Sequence, residues 1–140
     1  MRLEEARCRR LLEGADHGSL ATRHAGRGVD AVPACFAVDG SDLAIPVDLV
    51  KPKSSVRLTR AANLDADPRA VLLCEHWDPD DWSVLWWVRA WLERRTADTG
   101  ERAHFESLLR AKYAQYAESP FADLSVFRIT GVSGWSASPQ

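Results

Sequence analysis

The sequence predicts a mainly β protein, an antiparallel sheet closed into a barrel with a few helices between its strands. Apolar runs rich in β-branched residues recur along the chain, separated by turn signals such as Asp39-Gly40. The elements read in the order helix, three strands, helix, two strands, helix, strand. That order lacks the βα alternation of a doubly wound parallel sheet, and strands joined by tight turns favour antiparallel pairing.

Taken in order, residues 2–13 set Leu3, Ala6, Arg10 and Leu11 with Leu12 at helical spacing, and Gly14 and Gly18 bracket the exit of that helix. Gly18-Ser19-Leu20-Ala21-Thr22 reads as a first strand, and Val29–Val38 as a second. The turn at Asp39-Gly40 then leads into a third strand over Leu43–Val47, giving a hairpin. Lys51-Pro52-Lys53 breaks the strand, and Ser54 or Ser55 can cap a helix running to about Leu64. Asp67-Pro68 stops that helix, because the residue before proline resists helical geometry. Val71–His76 is read as a strand, residues 77–82 as a polar loop and Val84–Leu92 as a longer strand. Residues 101–117 form a helix with Phe105, Leu108, Leu109, Lys112 and Tyr116 on one stripe. Leu124–Val132 is the last strand, with a polar tail from about residue 134.

The 140 residues suit a single domain, and an apolar share of 46% is that of an ordinary globular chain. Eighteen basic against twenty acidic residues leave a net charge of −2, which argues against a nucleic-acid-binding role. Cys8, Cys35 and Cys74 are odd in number and far apart, so free thiols in a reducing cytoplasm are expected. The charged amino-terminal residues lack a signal-peptide core, and no apolar segment reaches the ~20 residues of a membrane span.

The segment from Lys51 to Leu64 concentrates chemistry. It carries Lys51, Lys53, Arg57 and Arg60 with no acidic residue, in a slightly acidic chain. Lys51 and Lys53 point the same way in an extended segment, and Arg57 and Arg60 share a helix face. Ser54 and Ser55 stand between the pairs at the helix amino end, where free N–H groups and the helix dipole favour an anion. Hydroxyls, N–H donors and cations converge as a phosphate requires. A solvated helix that merely keeps the protein soluble is the competing explanation. The chain has no glycine-rich phosphate loop, so a bound phosphate has to be gripped by side chains and a helix terminus.

Five of the six tryptophans, Trp77, Trp82, Trp86, Trp87 and Trp91, fall close together. On a strand Trp87, Arg89 and Trp91 share one face, with Trp86 and Val88 on the other. Core packing and packing between subunits account for most of these rings. Cys74, Glu75 and His76 alternate faces and cannot all reach one metal ion, and His17, His24 and His104 lack partners at ligand spacing. Ser19 lacks a nucleophile elbow, and nothing singles out a proton donor among Glu75, His76, Asp78, Asp80 and Asp81.

GSLAT, VPACFAVDG, PVDLVKPKSSVRLTRAANLDADPRAVLLCEHWDPDDW and VFRITGVSGW together resemble one family, over residues 3 to 136 or so. It is the pyridoxamine 5'-phosphate oxidase-like superfamily, and within it the actinobacterial branch that uses the deazaflavin coenzyme F-420. The resemblance implies a six-stranded antiparallel split β-barrel, a homodimer and cofactor sites at the subunit interface. Carried over by position, Lys51, Lys53, Ser54, Ser55, Arg57 and Arg60 would hold the cofactor phosphate. The ring would lie against backbone around Pro33, Cys35, Val47 and Asp48, and Trp135 would close the pocket from the partner subunit. The implied chemistry is hydride transfer from the reduced deazaflavin to a small unsaturated molecule. The alternatives are an FMN-dependent oxidase or reductase on the same barrel, and a flavin- or haem-binding module without turnover.

Overall fold

The computed structural model describes residues 1–48, 55–118 and 121–139, apart from the side chains of Asp48 and residues 55–58. The first helix, α1 (Glu5–Gly14), turns Cys8 and Leu12 inward rather than Ala6 and Arg10, with Leu3 and Leu11 packed beside them. Four strands follow: β1 (Gly18–His24), β2 (Gly28–Ala34), β3 (Ala37–Asp39) and β4 (Asp42–Asp48). Helix α2 (Ser55–Ala66) precedes β5 (Arg69–His76) and β6 (Trp86–Arg95), and α3 (Thr99–Lys112) precedes β7 (Phe121–Ser136). Gly40, at φ +60°, makes the β3–β4 hairpin in a backbone region that other residues avoid.

The strands form one antiparallel sheet in the order β2-β1-β5-β6-β7-β4-β3. Two expectations are corrected here. Among the described residues there are seven strands, not six, because the run expected as one strand over Val29–Val38 is divided into β2 and β3 at Cys35-Phe36. The ladder also does not close: β2 and β3 are its two ends, joined through Cys35-Phe36 and not paired with each other. The break has a side-chain cause. The Phe36 N–H donates to the Tyr113 hydroxyl at 3.1 Å, and its carbonyl accepts from Lys112 Nζ at 3.0 Å. Side chains from the end of α3 thus satisfy the backbone groups that a continuous strand would commit to a ladder.

Boundaries shift elsewhere for similar local reasons. Asp81 caps a single turn at Trp82–Val84, which delays β6 to Trp86. Helix α3 starts at a capping box, in which Asp98 and Glu101 accept from each other's backbone N–H, and stops at Lys112 rather than running to residue 117. Strand β7 runs on to Ser136, through residues read as tail, because Gly134 carries α1. A Cβ there would lie 2.8 Å from the Trp87 carbonyl and 3.0 Å from the Cys8 sulfur.

One core lies within the curved sheet, where Leu20, Phe36, Leu43, Ile45, Leu72, Val88 and Phe127 meet Cys8, Leu12 and Leu64 from the helices. A second lies beneath α3, where Phe105 and Leu109 pack on Ala37, Ala44, Leu124 and Val126. Strand β4 is therefore buried on both faces. Arg95 at the end of β6 ties the two regions, donating to both Asp42 carboxylate oxygens (3.2 and 3.1 Å) and to Glu101 of α3.

Candidate functional site

Helix α2 packs against β1 and β2, and its inward polar residue is Asn63. Asn63 is buried; its Nδ2 donates to Thr22 Oγ1 at 3.0 Å and to Asp30 Oδ2 at 2.8 Å. Asp30 also accepts from Arg27 at 2.8 and 3.1 Å, and the Arg27 and Asn63 hydrogen bonds hold its carboxyl below the usual range. One turn before Asn63, Thr59 and Arg60 join these residues in lining a cleft of about 320 Å³ between the helix and the β1–β2 hairpin. After the helix, Asp67 accepts from the Arg69 backbone N–H at 3.1 Å and from its guanidinium at 3.0 and 2.8 Å, and from Arg23 at 3.3 Å. Those bonds keep the Asp67 carboxyl well below the ordinary carboxylate range, Arg69 contributing most. The Asn63-to-Arg69 segment thereby pins both ends of the α2–β5 connection to the hairpin.

Of the residues predicted to hold a phosphate, Arg60 stands in this cleft. Lys51, Lys53 and Ser54 lie outside the described residues. Ser55 and Arg57 open α2, and their side chains, like that of Asp48, are outside the described part of the structure. Arg27, Thr22, Asp30, Thr59 and Asn63 were not singled out from sequence. Arg27 and Asp30 sit in a hairpin distant in sequence from the basic cluster, and Asn63 was visible only as part of the Asn-Leu-Asp-Ala-Asp-Pro-Arg segment.

The ring-bordering residues divide. Pro33 is exposed near the end of β2, Cys35 is half-buried at the crossing to β3, and Val47 is buried in β4, where it pairs with Asp123 of β7. Pro33 belongs to the outer face of the sheet. The register aligns Pro33, Ser19, Leu73, Arg89 and Ser133 in one row across β2, β1, β5, β6 and β7. The neighbouring row is Ala31, Ala21, Val71, Trp91 and Gly131, and a further row joins Glu75, Trp87 and Trp135. Trp91 and Trp135 are 41% and 38% exposed, so large rings stand on an uncovered face. The Arg89 guanidinium lies 5.3 Å from the Trp87 ring centre and 4.9 Å from that of Trp91, a cation held between two π faces. Its Nε is buried without a hydrogen-bond partner. Pro33 and Trp135 share this face but stand four strands apart, ~19 Å along the sheet at ~4.8 Å per strand.

Cys74 is buried and its thiol is pushed up to about 12 by desolvation, so it is inert at neutral pH. His76 is exposed and stacks on Trp86 with ring centres 6.3 Å apart. All three cysteines are free thiols. Among the described residues no helix is long and apolar enough to cross a membrane.

Neither a protein-family model nor a curated protein sequence matches the chain. Solved structures do. A FAD-binding protein from Mesorhizobium loti superposes with a TM-score of 0.63 at 21% identity, covering 96% of this chain and 93% of its own. A provisionally assigned pyridoxamine 5'-phosphate oxidase from Corynebacterium glutamicum gives 0.63 at 14%, covering 97% and 98%. A heme binding protein from Mycobacterium smegmatis gives 0.70 at 16%, covering 98% of this chain and 60% of its own. At these identities the likeness shows the fold alone: a fold that flavin-binding, oxidase-like and haem-binding proteins share.

Proposed function

We propose that this chain is an oxidoreductase that binds a phosphate-bearing flavin-type cofactor, coenzyme F-420, at the interface of a homodimer. FMN is the second reading, favoured by the flavin-binding structure neighbour. The observation that carries the proposal is the cleft beside α2, where Arg60 and Thr59 face Arg27 and Thr22 at the foot of the basic segment. The Arg60 guanidinium and the Thr59 hydroxyl fit a phosphate beside Arg27, which Asp30 already pairs, and they lie next to β2, whose far end holds Pro33 and leads into Cys35. The dimer is supported by the uncovered apolar rows around Trp91. A second copy would supply its own Trp135 over the first copy's cofactor.

In this reading Lys51, Lys53, Ser54, Ser55, Arg57 and Arg60 hold the phosphate, while the backbone at Pro33, Cys35, Val47 and Asp48 supports the ring. The bound cofactor supplies hydride transfer to a small unsaturated acceptor. The protein's share is position, a rigid hairpin fixed by Asn63 and Asp67, and exclusion of water by the partner's rings. A haem-binding module without turnover is the third reading, on the fold shared with the haem-binding structure neighbour.

Equilibrium titration with F-420 and with FMN tests this. Lys53→Ala, Arg57→Ala and Arg60→Ala are each expected to weaken binding about tenfold to a hundredfold, the loss of one charge-assisted hydrogen bond. Unchanged affinity in all three variants would place the phosphate elsewhere.

A further inference from the structure

On the outer face of the sheet most charges are matched within the chain. Arg23 and Arg69 both donate to Asp67, at 3.3 and 2.8 Å, and Glu93 faces Arg128 at 3.7 Å. Two charges on this face have no counter-ion among the described residues. Arg89, midway along β6, donates to the Ser133 hydroxyl at 3.4 Å, and its Nε–H is buried without an acceptor. Glu75, near the end of β5, is exposed and takes part in no hydrogen bond or salt bridge among the described residues. The register keeps the two apart. Arg89 stands opposite Leu73 and Glu75 opposite Trp87, so they are diagonal neighbours, and the Trp87 and Trp91 rings clamp the guanidinium between them.

The same face exposes Leu73, Trp91 and Trp135. Arg and Trp are the residues that most often dominate binding at the centre of protein interfaces. Covering this face strips water from the guanidinium, and a charge buried without a counter-ion is strongly destabilising. An occupant of the face must therefore bring an anionic group to Arg89. A second copy of the chain does so, because it presents Glu75 on the same face and lacks a cation for it. A two-fold axis between the two faces exchanges the copies, so a contact from one Arg89 to the other Glu75 occurs twice, as an isologous interface requires.

We propose that Arg89 of each subunit pairs with Glu75 of the partner subunit, and that this reciprocal ion pair sets the register of the homodimer. The inference rests on the homodimer proposed above and names the contact that orients it. The two rings hold the guanidinium in place before the partner arrives, so little side-chain freedom is lost on pairing.

The test is sedimentation equilibrium of wild type, Arg89→Glu, Glu75→Arg and an equimolar mixture of the two variants, with each fold checked by circular dichroism. Alone, each variant sets like charges against each other twice in a homodimer, and its dissociation constant is expected to rise about a hundredfold or more. Mixed, the two chains form a heterodimer in which both contacts again join opposite charges. Its dissociation constant is expected to return to within about tenfold of the wild-type value. A mixture that stays monomeric overturns the inference, because a pair within one chain gains nothing from a second. Glu75→Arg that dimerises as the wild type does overturns it too, and leaves the homodimer standing. That variant changes an exposed side chain, so the inference stays open to refutation even where Arg89→Glu fails to fold. A wild type that is monomeric throughout overturns the homodimer and the inference together.

Discussion

Cys74 and Tyr113 are neighbours of one half-buried amine, and all three titrate at alkaline pH. Desolvation lifts the Cys74 thiol from 9.0 to about 12 and the Tyr113 hydroxyl from 10.0 to about 12. Between pH 9 and 12 the unfolded chain has therefore released protons that the folded protein retains, and stability falls as pH rises through that window. Lys112 acts in the opposite sense: its lowered value means that the unfolded chain holds the extra proton, so its contribution rises with pH up to 10.5. Cys74 alone accounts for up to about 4 kcal/mol, at ~1.4 kcal/mol for each tenfold change in proton affinity. Melting temperatures measured from pH 7 to 11 are expected to decline above pH 9. Cys74→Ala should flatten that decline, while a protein whose stability is level from pH 9 to 11 would contradict the burial of these groups.

Among the elements, α1 depends on one glycine of a strand it never pairs with. Gly134 of β7 leaves room for the Cys8 sulfur and for the Trp87 backbone, and the Leu3 N–H donates to the Gly134 carbonyl at 3.0 Å. Gly134→Ala would force α1 off the sheet and is expected to cost about 1–3 kcal/mol, the usual range for overpacking, read by urea denaturation. A change below about 0.5 kcal/mol would mean that α1 docks loosely. The same elements show what the sequence makes legible. Alternation put Trp87, Arg89 and Trp91 on one face, and the register agrees, because a two-residue period needs nothing beyond the strand itself. Asp39-Gly40 marked the hairpin for the same reason. The division at Cys35-Phe36 was not legible, since its cause is two side chains more than seventy residues downstream. The shift of register between Trp91 and Leu92 in the β6–β7 pairing was hidden too: it comes from fitting two strands together. At the site, a run of cations in sequence pointed to α2, but Asn63, Arg27 and Asp30 needed the hairpin to be folded onto that helix before their contacts could be seen.

For the molecule as a whole, the outer face of the sheet is where the proposed dimer can be tested. Ala31, Ala21, Val71 and Trp91 form an apolar row that no helix covers among the described residues. Exposed patches of this kind mark association surfaces. Light scattering is expected to give a dimer for the wild type and a monomer for Trp91→Glu, with the fold retained because Trp91 is already 41% exposed. A wild-type monomer would remove the argument for a cofactor shared between copies.

The strand order carries a consequence for how the protein is made. Strand β7, the last to be synthesised among the elements, lies between β6 and β4, and its pairings with those two hold the ladder together. Until it arrives, β2-β1-β5-β6 and β4-β3 are two separate fragments, each with an open edge where β7 will insert. A nascent chain on the ribosome therefore cannot complete its sheet until residues 121–136 have left the exit tunnel. Removing that strand would leave two halves with no ladder between them.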